Sequence, residues 1–287
     1  MLCVLSACSY AATGLFGKLA YDEGLTVSGL LAARFSIAAV VLWLLVAALG
    51  RGSRPTRRGA LTGVALGVVA YSAQTGLFFL ALTRLDAGLA VLLVYIAPVL
   101  VAISAVALGR ETLSRAQVVG VIVAVCGTAL VATGDGIGAI DGLGMMFAFG
   151  CAVAFTAYML LSHALVGSVN PVALSASVCT GCALSFLTAA GASGHLPIET
   201  TGRGWLLICA LALFSTVIAI TALAAGTARV GPSTATILAS FEPFFATILA
   251  VWLLNEQLAP LQVLGGAFVI ASVLIVSVRR AAAVHLP

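Results

Sequence analysis

The sequence predicts an all-α polytopic membrane protein: ten transmembrane helices arranged as two inverted five-helix repeats. Three observations carry this. The first is composition, which is 62% apolar and 8% charged with a mean hydropathy of +1.23; soluble domains carry about 25% charged residues. At roughly 20 apolar residues per spanning helix, the chain has room for about ten spans. The second is an internal repeat. Residues 84–120 align without gaps to 229–265, an offset of 145, with 13 identities that include Arg84/Arg229, Pro98/Pro243, Glu111/Glu256 and Gln117/Gln262. The third is charge placement. With both termini cytoplasmic, nine basic residues flank the cytoplasmic side and three the outer side, as the positive-inside bias requires. Five spans per copy is an odd number, so the second copy enters the membrane upside down. The predicted repeats are residues 1–134 and 141–280.

The elements follow in order. Segment 1 covers 2–20 and ends at Lys18 and Tyr21-Asp22-Glu23-Gly24. It reads as a first span, because no basic n-region or cleavage site accompanies it. Segment 2 covers 27–49 and is interrupted only by Arg34. A basic loop, Arg51 to Arg58 with Pro55, leads to segment 3 at 59–82, which opens on Gly59, Gly63 and Gly67, a spacing that lets helices approach closely. Segment 4 (86–108) contains Pro98, and segment 5 (115–133) ends at the turn signal Gly134-Asp135-Gly136. Segments 6 to 10 cover 143–166, 171–192, 204–227, 230–254 and 260–278, the last stopping at Arg279-Arg280.

Pro98 and Pro243 each fall about twelve residues into a span, close to the bilayer centre at 1.5 Å per residue. Proline inside a helix frees the carbonyl four residues back, here those of Val94 and Ala239. Matched breaks in two inverted halves are a sequence pointer to a transporter site at mid-depth. Around them we expect a substrate site from Tyr95 and its repeat-mate Ser240, from Tyr71, Gln74 and Phe78 on one face of segment 3, and from Tyr10 and Tyr158 in segments 1 and 6. Ser240 continues a stripe with Ser233, Thr236 and Thr247. Interhelical packing is the competing reading for each.

Glu242 is the one acid deep inside a predicted span. A carboxyl there is protonated, paired or solvated, so it is either a proton-coupling group or a fixed helix-pairing acid. Arg34 lies about 10 Å from the outer end of its helix by helical rise. It can snorkel to that interface, pair with an acid, or hold a substrate carboxylate. Glu111 and Glu256 at helix ends suggest equivalent capping or gating contacts.

At these residues a resemblance appears. Ser240-Phe-Glu242-Pro243 through Glu256 resembles the ninth-helix signature of the EamA family in the drug/metabolite transporter superfamily. Tyr95-Ile-Ala-Pro98 through Glu111 resembles that family's fourth helix, and Arg34-Phe35 is similar to its second. The resemblance implies a ten-helix inner-membrane carrier, often an exporter, with a cavity between helices 1–4 and 6–9. Its members handle amino acids, sugars, nucleotide-sugar-like compounds or drugs. Unlike some aromatic-amino-acid exporters, this chain has no histidine in helix 3.

Other classes fit poorly. The three histidines lie at or beyond helix ends, and no H-E-x-x-H, G-x-S-x-G or Walker A sequence is present. Cys179-Thr-Gly-Cys182 stands alone and reads as small residues on a packed helix. No catalytic constellation, metal site, cofactor or nucleic-acid surface is predicted. The partners expected are a small-molecule substrate, the lipid bilayer and protons as a coupling ion. A channel is the alternative to a carrier.

Overall fold

The computed structural model describes residues 1–107, 115–133, 141–165, 169–194, 200–230 and 241–284. Every regular element among them is helical. Six helices are long and apolar enough to cross a bilayer: Leu2–Asp22 (α1), Val27–Ala48 (α2), Arg57–Leu82 (α3), Gly142–Ser162 within Gly142–Leu165 (α7), Pro171–Ser193 (α8) and Gly202–Leu223 within 202–230 (α9). The other helices are Ala87–Val94 (α4), Ala97–Ala107 (α5), Arg115–Thr133 (α6), Glu242–Leu253 (α10) and Pro260–Val284 (α11), whose apolar runs are shorter.

The outer surface is as apolar as the core. Leu30, Leu31, Phe35, Leu42, Phe79 and Leu93 are fully buried, yet Val40, Leu44, Leu206 and Trp252 stand exposed. Exposed side chains of this kind satisfy a bilayer and no aqueous solvent.

The 145-residue offset governs local detail that composition hides. Thr56 and Thr201 are repeat-mates, and each caps its helix by accepting from an amide three residues on, Gly59 N at 3.1 Å and Gly204 N at 3.0 Å. Both third helices then loosen into a π-turn at matching depth, Gly67–Tyr71 in α3 and Leu213–Ile218 in α9. A π-turn displaces one carbonyl from the helical ladder. In α3 the Ser72 hydroxyl donates to Gly67 O at 2.7 Å, and in α9 Thr216 donates to Leu211 O at 3.0 Å. Each hydroxyl thus satisfies a carbonyl five residues back.

Helix pairing also maps onto itself under the offset. α2 packs along its mate α8, and α6 along its mate α11. α1 packs on α9 and α10, while its mate α7 packs on α3 and α5. The two copies therefore interlock. The closest approach is α3 against α8: a Cβ on Gly67 would lie 2.9 Å from the Val178 carbonyl carbon, and one on Gly181 2.9 Å from Gly67 Cα. Only glycine allows backbone to meet backbone there.

Three expectations are corrected. Segment 4 is broken as expected, but Pro98 is not inside the helix: α4 stops at Val94, Tyr95 and Ile96 form a turn, and α5 starts at Ala97. α10 starts at the repeat-mate, Glu242. Each proline is the second residue of a new helix, where its missing N–H costs nothing. The last helix does not stop at Arg279-Arg280 but runs to Val284, because Ala281 to Ala283 are strong helix formers. Lastly, Arg34 is only 5% exposed; it is enclosed by protein and does not snorkel.

Candidate functional site

α2 is apolar on every face; one side packs into the bundle through Leu30, Leu31, Phe35 and Leu42, while Val40 and Leu44 face outward. Thr26 begins it by accepting from Gly29 N at 3.2 Å. Two turns on, this helix carries Arg34 into the bundle. The Arg34 Nε donates to Thr216 Oγ1 at 3.0 Å, and the Thr216 hydroxyl in turn donates to Leu211 O at 3.0 Å. The guanidinium carbon lies 5.2 Å from the Phe35 ring centre and 5.5 Å from that of Phe79, cation–π distances. The Nη1 atom is buried with no hydrogen-bond partner. Among the described residues, neither ion pair involves Arg34.

Phenols surround this cation. Tyr71 and Tyr158 meet edge to face at 5.0 Å between ring centres. Behind Tyr71, Phe35 sits at 6.1 Å and stacks on Phe186 at 5.9 Å. Tyr10 and Tyr71 are within electrostatic reach of Arg34 and of Tyr158. Glu242, in the first turn of α10, is within reach of Tyr10 and of Tyr95. Tyr10 is thus within electrostatic reach of both the cation and the acid. Tyr10, Tyr71, Tyr95, Tyr158 and Glu242 lie deep among the helices yet are only half-buried.

The predicted residues thus fall into groups. Tyr10, Tyr71, Tyr158, Arg34 and Glu242 gather in one polar cluster. Tyr95 joins it through Glu242, while its ring packs with Phe78 among Ala11, Val91, Ala246, Phe245 and Leu249. Gln74 turns away from this cluster and pairs with the Cys151 thiol. Pro98 and Pro243 mark the helix starts flanking the cluster. Ser240, with Ser233, Thr236 and Glu111, lies outside the described residues.

Several members were not expected. Thr216 is the repeat-mate of Tyr71, and it anchors Arg34. Cys179, the repeat-mate of Arg34, lies beside it with Cys182, whose thiol donates to Gly67 O at 3.4 Å. The offset of 145 applied to Arg34 itself was the signal for this face of α8. Glu256 accepts from the first two amides of α4, Ala87 N at 2.7 Å and Gly88 N at 3.0 Å, which makes it a helix cap. Away from the cluster, a cleft of about 380 Å³ opens among Lys18, Tyr21, Asp22 and Thr83. No group of three His, Cys, Asp or Glu side chains is placed to hold a metal among the described residues.

Comparison with known proteins supplies the rest. No curated protein matches the chain. One solved structure, described only as the crystal structure of a protein, is 21% identical; the match covers 96% of this chain and 98% of that one at a TM-score of 0.67. That likeness speaks for the fold alone. A model of the EamA-like transporter family matches residues 1–133 and again 142–278, so the repeat found at an offset of 145 is the family's own unit written twice. With nearly the whole sequence accounted for by two copies of that unit, the chain belongs to the EamA-like transporter family, a family of multi-pass membrane transporters.

Proposed function

We propose that this transporter is a secondary carrier that moves a small organic metabolite by alternating access around the Arg34–tyrosine–Glu242 cluster. The observation that carries the reading is the pair of helix starts at repeat-mates Ala97 and Glu242, each with proline second. Discontinuous helices at equivalent depth in two inverted repeats are how carriers place a site between halves that rock against each other. The full reading has ten spans as two inverted sets of five, residues 1–134 and 141–280, in the inner membrane with both termini cytoplasmic. Tyr10, Tyr71, Tyr95, Tyr158 and Ser240 line the site, with Phe78 as its apolar wall and Gln74 at its edge. No enzyme activity is proposed, because the cluster offers no nucleophile with an adjacent base.

The test uses proteoliposomes loaded with a small-molecule cell extract uniformly labelled with carbon-13. A carrier releases a labelled compound faster when unlabelled extract is present outside, and that compound is the substrate. A channel shows no such acceleration, and equal efflux under both conditions would falsify the carrier reading.

Glu242 is the proton-exchanging group in this reading. It is the acid half-buried at a helix start among phenols, where a carboxyl can be neutral or charged at modest cost. Glu242→Gln is expected to keep counter-flow but lose acceleration by an imposed pH gradient, a change of at least about tenfold, the effect of 1.4 kcal/mol of lost coupling. Undiminished gradient-driven flux in the variant shows that Glu242 does not carry the proton.

A further inference from the structure

Arg34 is a permanent cation inside a membrane protein, with its charge unmatched by any described carboxylate. We propose that Arg34 is the recognition residue for an anionic substrate, and that the substrate class is organic carboxylates carrying one negative charge. The inference rests on the carrier reading of the same cluster and narrows its cargo.

Removing one charge partner from a buried pair is costly. A membrane protein does not keep an unpaired cation in its interior without a partner for it. The groups that face Arg34 are Tyr10, Tyr71, Cys179 and Cys182, phenols and thiols that are neutral at ordinary pH. Among the described residues, no carboxylate lies within ion-pair distance of Arg34. The guanidinium is also held still. Its Nε is committed to Thr216, and its faces are occupied by Phe35 and Phe79. What remains is the end of the fork, including Nη1, which is buried and unsatisfied. A planar carboxylate takes two parallel hydrogen bonds from such an end. A single positive charge selects a single negative one, because a dianionic phosphate would bring a second buried charge with no partner.

Besides Arg34 Nη1, the buried hydroxyls of Ser9, Ser215 and Thr200 lack partners among the described residues. Ser215 lies in the π-turn that presents Thr216, and α1, which carries Ser9, packs on that turn. The rest of the ligand is directed by the phenols. Tyr71 and Tyr158 form an aromatic wall beside Arg34, and Tyr10 leads toward Glu242. A compact aryl or alkyl group on the carboxylate would contact these rings.

The experiment measures thermal stabilisation of the purified, detergent-solubilised full chain by acid–amide pairs of one shape: benzoate and benzamide, phenylacetate and phenylacetamide, hexanoate and hexanamide. Ionic strength is held constant, and phenylphosphonate serves as the phosphorus-based anion. At least one acid is expected to raise Tm while its amide and phenylphosphonate do not. Arg34→Gln removes that shift. Arg34→Lys retains a preference for the acid with affinity about tenfold weaker, as expected for loss of one charge-assisted hydrogen bond. Amides that stabilise as well as acids overturn the assignment, as does the absence of any acid-induced shift, or an acid preference that survives Arg34→Gln. Should Arg34→Gln not fold, the acid–amide comparison in the wild type together with Arg34→Lys decides. Counter-flow of the stabilising acid in proteoliposomes is scored separately. Binding without counter-flow leaves Arg34 as the anion site and removes the carrier. Counter-flow of neutral compounds with no acid preference does the reverse.

Discussion

The two π-turns begin from the same design and end in different uses. In α3 the loosened turn starts at Gly67, whose bare Cα lies against the backbone of α8 at Val178 and Gly181. Its displaced carbonyl collects the Ser72 hydroxyl and the Cys182 thiol. That copy is a packing joint. In α9 the turn begins one residue later relative to the offset, and the mate of Gly67 is Ala212, fully buried and tolerated. Its displaced carbonyl is satisfied by Thr216, which has a lone pair left for Arg34. That copy is a polar mount. A repeat thus supplies two equivalent irregularities, and side-chain choice makes one of them a crossing and the other part of a site. The duplicated frame does not need new backbone geometry to acquire function.

The comparison can be broken most forcefully at the crossing. Gly67→Leu forces a side chain into the α8 backbone, which has no flexible end to yield, and is expected to cost about 3 kcal/mol. Ala212→Gly is expected to cost about 1 kcal/mol, the conformational penalty of glycine in a helix. Chromatographic monodispersity and Tm in detergent read both. Similar losses at the two mates would mean that the turns are packed alike.

A smaller contrast concerns the hydroxyls. Thr216→Ala leaves both a carbonyl and the Arg34 Nε unsatisfied, for about 2 kcal/mol, whereas Ser72→Ala leaves one carbonyl with the Cys182 thiol still at hand, for about 1 kcal/mol. Thr216→Ser restores stability. If Ser72→Ala is the more damaging of the two, the division into joint and mount is wrong.

The smallest effect lies outside the membrane. Asp141 accepts from Gly144 N at 2.8 Å and from Arg84 at 2.9 Å, and these bonds hold its carboxyl below the ordinary carboxylate range, the amide foremost. A depressed native value means that the stabilisation is complete above the unfolded carboxylate's range, about pH 4, and disappears as pH falls through the native value. Asp141→Asn should therefore lower Tm slightly at pH 7 and leave it unchanged at the acid end of a stable range. A constant difference across pH would assign the effect to the hydrogen bond to Gly144 and not to charge.

Much of the frame is legible in the sequence because apolar runs and the offset of 145 are long-range signals. Segments 2, 5 and 7 match their helices to within a residue or so at either end. The π-turns are not legible. In a uniformly apolar helix no polar stripe records whether the pitch is 3.6 residues or wider, and Gly67 looks like any close-packing glycine. Pro98 and Pro243 were visible as breaks, but a residue that kinks a helix interior and one that opens a new helix have the same letter; only the turn at Tyr95–Ile96 distinguishes them. At the site, the tyrosines and Glu242 are visible as polar residues in apolar surroundings. Thr216 was discounted as less polar than Tyr71, because its value lies in what it touches. Gln74 shared the stripe of Tyr71 at helical spacing, and the π-turn just before it re-aims that face toward Cys151.

Glu256 capping α4 has a consequence for the medium outside. Its carboxylate, the Arg84–Asp141 pair and the Glu23 contacts to Arg203 and Thr201 all tie the 1–133 copy to residues beyond it. They share one end of the bundle, where Tyr21 and Asp22 border Leu82 and Thr83. Both ion pairs are partly solvent-exposed, so dissolved electrolyte screens them over about 8 Å at physiological strength and over less in brine. Salinity on that face alone is therefore expected to change the strength of these ties, and the buried centre does not feel it.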